Sequence, residues 1–175
     1  MTSSTHESVT HHDGADGLIG APIRRVEDLR LMTGAGKYVD DIQLPGMLHL
    51  AVLRSPYPKA RITAVDASAA REMPGVVAVL TGQDLDFNIT AAQMIPGMKV
   101  PPHPILARDA VYAVGVPVAA ALAETRAQAL DAVNAVQIDY EPLPSVANAE
   151  EALEASAPLA RDELDTNVCY VAKRE

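Results

Sequence analysis

Residues Val118–Tyr140, VAAALAETRAQALDAVNAVQIDY, decide the fold. Val118–Ala123 (VAAALA) is apolar at every position, the pattern of a strand covered on both faces. Thr125 and Gln128 have capping-box spacing, in which hydroxyl and amide satisfy the orphan backbone donors of a helix start. The helix predicted from there runs to about Asn134, with Ala129, Leu130 and Val133 as its inward stripe. Val136–Tyr140 (VQIDY) then alternates as a half-buried strand.

The same strand–helix–strand order occurs upstream. Arg61–Val65 (RITAV) reads as a strand, and Asp66 caps a short helix over Ala67–Met73 that Pro74-Gly75 ends. Val76–Thr81 (VVAVLT) is a β-branched run suited to a buried strand. Neither helix can bury its face alone, so the pattern predicts an α+β fold with one mixed sheet. That sheet holds Val76–Thr81, Val118–Ala123 and Val136–Tyr140, and right-handed crossovers put both helices on one side of it. Met47–Arg54 adds a strand, followed by a loop at Ser55-Pro56-Tyr57-Pro58. Pro96, Gly97, Pro101, Pro102 and Pro104 make Asp86–Pro104 a surface excursion. Asn148 and Glu151 repeat the box spacing and predict a last short helix over Glu150–Glu154. Met1–Leu18 is too polar to offset its ordering entropy and reads as a disordered leader, leaving residues 19–175 as one domain.

Composition excludes several function classes. The net charge of −9 argues against nucleic acid, where phosphate neutralisation needs clustered Lys and Arg. There is no Trp, and Phe87 is the sole Phe, so a base-stacking platform is also unsupported. No apolar run approaches the ~20 residues of a spanning helix. The Arg24-Arg25 pair is followed by Glu27, Asp28 and Arg30 rather than an apolar stretch, so it is no twin-arginine export signal and the expected location is cytoplasmic. The single Cys169 makes no internal disulfide and cannot alone hold an iron–sulfur cluster.

The residues that invite a chemical reading mostly have a structural one. His6, His11 and His12 are solvated tail residues without the fixed geometry of a metal site. Thr33-Gly34-Ala35-Gly36-Lys37 lacks the glycine spacing and the preceding strand of a phosphate loop, and reads as a turn. Asp40-Asp41 and Glu150-Glu151 are sequence neighbours that point apart on strands or favour a helix start. His49 is a packing residue within a strand, and His103 lies between prolines without an identifiable partner. Two groups remain as a candidate partner interface: Arg24, Arg25 and Arg30, whose guanidinium groups suit bidentate recognition, and the apolar Met94, Ile95, Met98 and Val100. The second group either docks on a partner or folds back over its own domain.

Ile19–Ser55 (IGAPIRRVEDLRLMTGAGKYVDDIQLPGMLHLAVLRS), Pro74–Leu85, and Leu106–Tyr140 followed by Glu141-Pro142-Leu143-Pro144 carry a further signal. Together they resemble the N-terminal α/β hammerhead domain of the large, molybdenum-binding subunits of the xanthine dehydrogenase, aldehyde oxidase and carbon monoxide dehydrogenase family. Tyr38 with Asp40-Asp41, Arg54-Ser55-Pro56 and Asp139-Tyr140-Glu141 are its most specific points.

The resemblance implies an oxidoreductase that works at a molybdopterin centre and passes electrons through iron–sulfur clusters to FAD. It implies the molybdopterin-binding domains, and the iron–sulfur and flavin subunits, as partners. The family's molybdenum-contacting loops and catalytic glutamate lie later in the large subunit, so no catalytic, cofactor or metal residue is carried over. Glu175 falls about where the first domain of such a subunit hands over to the next. Two expectations follow: a structural domain or split subunit of a molybdenum hydroxylase, or a free-standing binding or scaffolding module from a truncated gene. One departure is Val116, where relatives commonly carry Glu or Gln after the glycine.

Overall fold

The computed structural model describes residues 25–85, 88–89, 95 and 97–172. The expected leader Met1–Leu18, together with Arg24 and Met94, lies outside the described residues. Two compact units divide the chain at Leu44/Pro45. In the first, the described part holds a short helix α1 (Asp28–Met32) and a 3₁₀ turn at Val39–Asp41.

In the second unit, strands β1 (His49–Arg54), β3 (Val76–Thr81) and β7 (Pro117–Ala123) form one antiparallel sheet in the order β1-β7-β3. Strands β2 (Ala60–Asp66), β6 (Ala110–Val111) and β8 (Gln137–Pro142) form another, in the order β6-β2-β8. A short pair, β4 (Asn88–Ile89) with β5 (His103–Pro104), stands apart.

The α+β class and its two strand–helix–strand units are present, but the expected single sheet is not. The strand foreseen at Val136–Tyr140, observed as β8, pairs with β2 rather than sharing a sheet with β3 and β7. Burial explains the sorting. Strand β7 is covered along nearly its whole length, whereas β2 and β8 each leave several positions exposed. Apolar runs thus pair with apolar runs, and half-buried strands with each other. Each unit starts in one sheet and ends in the other: β2 leads through α2 (Ser68–Arg71) to β3, and β7 leads through α3 (Arg126–Ala135) to β8. The handedness rule for parallel crossovers within one sheet has no purchase on such connections.

The main core lies between the helices and the first sheet. Ala129, Ala132 and Val133 of α3 meet Ala119, Ala121 and Ala123 of β7, with Ala67 and Ala70 beside them. Alanine on both surfaces lets helix and sheet approach closely. Leu130, expected in the inward stripe, is 48% exposed, and Ala132 takes its place. The alanine-lined contact holds the inward face, and the longer side chain turns to the flank. A second cluster joins the two sheets through Val118 of β7, Ala60 of β2, Val111 of β6 and Ala107.

The local signals act at the expected places but not all in the expected form: at Thr125–Gln128 only the hydroxyl half of the box is made to backbone, and the helices after Asp66 and Asn148 are shorter than the spacing predicts. The Gln128 N–H donates to Thr125 Oγ1 at 3.2 Å, while the Thr125 hydroxyl donates to Gln128 Oε1 at 2.8 Å. Asp66 Oδ1 accepts the Ser68 N–H at 2.9 Å and its hydroxyl at 2.7 Å, starting a helix shorter than expected. Gly75 ends that segment at φ +77°, where a Cβ would also overlap the Gln128 amide. The last helix is a 3₁₀ turn at Glu151–Leu153, preceded by Asn148 Oδ1 accepting the Glu150 N–H at 2.8 Å. Among the described residues no helix is long and apolar enough to cross a membrane.

After β3, Asp84 Oδ2 accepts the Thr81 N–H and hydroxyl, each at 2.7 Å, with Arg71 at 3.6 Å. The Thr81 side-chain and backbone hydrogen bonds hold the Asp84 carboxyl below the ordinary carboxylate value of 3.8, and the Arg71 charge adds to them. A lowered folded pKa means stability that is present above the unfolded value and lost as pH falls through the folded one. Asp84→Asn should therefore flatten the acid limb of a stability–pH profile below about pH 4. Urea denaturation across that range checks this. For the core, Ala132→Leu should cost about 1–3 kcal/mol by overpacking. Leu130→Ala should cost well under the ~2–5 kcal/mol of a fully buried leucine.

Candidate functional site

In the first unit, the Thr33–Lys37 turn follows α1 directly. Gly34 has φ +73°, and the Ala35 N–H returns to the Arg30 carbonyl at 2.8 Å. A Cβ at Gly36 would sit 2.7 Å from Leu31 Cδ2, so glycine there allows Leu31 to tuck against the turn. Asp41 Oδ2 accepts the Tyr38 N–H at 2.9 Å, which gives this carboxylate a turn-forming role. Arg25 and Arg30 both reach Glu27, at 3.6 and 3.8 Å, as exposed ion pairs.

The second unit carries a cleft of about 470 Å³ walled by β4, β5, β6 and the C-terminal segment. Its polar wall is built around Tyr112. The Arg161 guanidinium stacks 4.1 Å from the Tyr112 ring centre, donates to the Pro102 carbonyl at 2.6 Å, and pairs with Glu163 at 3.1 Å. Beside it, Lys59 is 5% exposed. Its ammonium donates to the Leu159 carbonyl at 2.7 Å and to Asp162 Oδ1 at 2.6 Å, and lies 5.8 Å from the same ring. Burial first, and then the Glu163 and Asp162 charges, push the Tyr112 hydroxyl pKa up.

Val116 lines this cleft and packs with Tyr57, Ile138 and Tyr140 against the second cluster. Its carbonyl accepts the Ser55 N–H at 2.9 Å, and the Gly115 N–H donates to the Ser55 carbonyl at 2.8 Å. An apolar side chain extends the core at this position. Asn167 fixes the C-terminal segment further, donating to the Ala152 and Pro158 carbonyls, both at 3.0 Å, while its Oδ1 accepts the Ala160 N–H at 2.7 Å.

The charges of the polar wall are matched within the chain: Lys59 faces Asp162, and Arg161 faces Glu163. Such a wall fixes the C-terminal segment and shapes the cleft without aligning a nucleophile and a base. His103 Nδ1 contacts the Pro101 carbonyl at 2.9 Å, a role within its own loop. Among the described residues, no three His, Cys, Asp or Glu side chains converge to hold a metal ion.

The expected interface residues fall in different places. Arg25 and Arg30 belong to the first unit, and Ile95, Met98 and Val100 to the second. Ile95 is 39% exposed. Met98 and Val100 are half-buried and line a smaller cleft of about 310 Å³, whose opposite wall includes Leu164 and Cys169. Between them, the Lys99 N–H donates to the Cys169 carbonyl at 2.9 Å and its ammonium pairs with Asp165. Sequence reasoning missed Lys59, Tyr112 and Arg161. Lys59 and Asp162 lie 103 residues apart, so no local spacing reveals them.

The Lys59 pairing has a measurable asymmetry. Asp162→Ala leaves a buried ammonium short of a partner and should cost about 1–3 kcal/mol. Adding Lys59→Met should recover part of that loss, because an apolar side chain of similar length replaces the stranded charge. Denaturant melts of the two single variants and the double variant give the coupling.

Comparison with known proteins agrees with the fold. Residues 33–144 match the profile described as "Aldehyde oxidase and xanthine dehydrogenase, a/b hammerhead domain". The chain is 41% identical over 154 residues to the nicotine 6-hydroxylase large subunit of Paenarthrobacter nicotinovorans, covering 86% of this chain and 19% of that protein. It is 40% identical over 167 residues to the carbon monoxide dehydrogenase large chain of Afipia carboxidovorans, covering 94% and 20%. The quinoline 2-oxidoreductase structure from Pseudomonas putida 86 superposes with a TM-score of 0.77 at 42% identity, over 85% of this chain and 19% of that one. The chain thus spans about a fifth of the length of these relatives. It belongs to the aldehyde oxidase and xanthine dehydrogenase family, as a hammerhead domain.

Proposed function

We propose that this chain serves as the hammerhead region of a molybdenum hydroxylase large subunit, supporting assembly with the molybdopterin-binding domains and supplying no complete active site of its own. The observation that carries this reading is the 40% identity over 94% of the chain to a carbon monoxide dehydrogenase large chain, of which the match covers only 20%. The matched charges around Tyr112 support it, since they hold a domain together rather than poise it for reaction. In the assembled enzyme, molybdopterin belongs with the remaining large-subunit domains, and iron–sulfur clusters and FAD with partner subunits. The described residues of this chain do not fit a metal centre. The working location is the cytoplasm. Arg24, Arg25 and Arg30, with Met94, Ile95, Met98 and Val100, remain candidate contacts with those partners.

A chimera tests the reading. This chain replaces the matching fifth of the Afipia carboxidovorans large chain, expressed with that enzyme's other subunits. Molybdenum content and co-purification close to those of the unaltered enzyme are expected. A chimera that folds but retains neither would count against an assembly role.

A further inference from the structure

Beyond the 3₁₀ turn at Glu151–Leu153, residues 154–172 form no helix or strand, yet they wall both clefts of the second unit. Arg161 and Glu163 line the larger cleft, and Arg161, Leu164 and Cys169 the smaller. Arg161 and His103 belong to both, so the clefts meet at this guanidinium. No residue of 154–172 is buried, and none enters either core cluster. The two three-stranded sheets take no strand from the segment either. Three cations attach it to the rest of the unit. Lys59 holds the Leu159 carbonyl and Asp162, and Arg161 reaches the Pro102 carbonyl and the Tyr112 ring. Lys99 pairs with Asp165, beside the backbone bond from its N–H to the Cys169 carbonyl.

Attachment of this kind is easily reversed. A segment with few buried apolar contacts opens at lower free energy than a core does. A buried ion pair gains little beyond its own desolvation cost. Lys59 narrows the gap further. Docked, its side chain is 6% exposed and pairs with Asp162 at 2.6 Å. Undocked, it loses both partners together and regains water, so no charge is stranded dry. The contacts are also coupled along the segment. Arg161 pairs with Glu163, and Asn167 bonds to the Ala152 and Pro158 carbonyls and to the Ala160 N–H, so the loss of one contact loosens its neighbours. We infer that residues 158–169 form a strap that undocks as one cooperative body while both sheets stay folded. Its undocking removes the wall that the two clefts share and joins them in one groove, so a single segment sets access to both.

The test is amide exchange of the 175-residue chain at rising, sub-denaturing urea. Three amides report on the strap: Ala160, bonded to Asn167 Oδ1; Leu164, bonded to the Arg161 carbonyl; and Lys99, on the body, bonded to the Cys169 carbonyl. Corrected for intrinsic rates, the three should share one opening equilibrium, at least about tenfold more open than that of Val118–Ala123. That equilibrium should depend only weakly on urea, because the strap exposes little surface on opening. Asp162→Ala should speed all three together by about tenfold. Arg161→Lys, which keeps the charge but loses the stacked fork, should move them in the same direction. Ala132→Leu in the alanine core should speed the Val118–Ala123 amides and leave the three unchanged. Exchange of the three only along the steep urea dependence of Val118–Ala123 would mean that the strap opens with global unfolding, and would overturn the inference. Three unrelated rates, unmoved by Asp162→Ala and Arg161→Lys, would mean independent fraying and overturn it equally.

Discussion

Strand β7 is the element on which the rest of the second unit depends. It is the centre of the first sheet, flanked by β1 and β3, and its two faces serve two different cores. Ala119, Ala121 and Ala123 receive the helices, and Val118 reaches the cluster shared with the second sheet. The alanines are a constraint as much as a contact: a larger residue on either side would push α3 off the sheet, and dense interiors do not absorb an extra methylene cheaply. The short helices then act as bridges. Each carries the chain from one sheet to the other, so the sheets cannot separate without disrupting the alanine core.

The C-terminal segment is held differently, by polar contacts at low exposure. Lys59 alone ties three things together: the Leu159 carbonyl, Asp162, and through its own carbonyl the Leu143 N–H at 3.0 Å. With Arg161 stacked on Tyr112 and Asn167 bonded to two carbonyls, the segment becomes a wall of both clefts. Buried charge is a weak source of stability but fixes geometry well once its partners are in place. Here it fixes where the chain runs after the hammerhead core.

Much of this was legible in the sequence, wherever the signal is local. The β7 strand, the Thr125–Gln128 start of α3, the Asp66 cap and the Gly75 stop all follow from residues within a few positions of one another. Sheet membership was not legible, because pairing β8 with β2 joins residues 71 to 82 positions apart, from Asp66 with Gln137 to Ala60 with Pro142, and no periodicity reports it. Leu130 misled for a related reason. An apolar residue one position from the true stripe looks inward by composition, and only the alanine surface of β7 shows that the close side of α3 must be small. The Tyr112 wall escaped because its members are dispersed along the chain. The departure at Val116 is visible in the sequence, but its setting is not: Val116, Tyr57 and Tyr140 all pack against the second cluster, the two rings 5.1 Å apart.

The claim that β7 is the shared centre of both cores is open to one direct measurement, native-state amide hydrogen exchange resolved by residue. The amides of Val118–Ala123 should be the slowest in the chain and exchange only with global unfolding, because their strand is paired on both sides and covered on both faces. If those amides exchange as fast as the rim positions of β2 and β8, or open while those strands stay protected, β7 is not the element on which the fold is built.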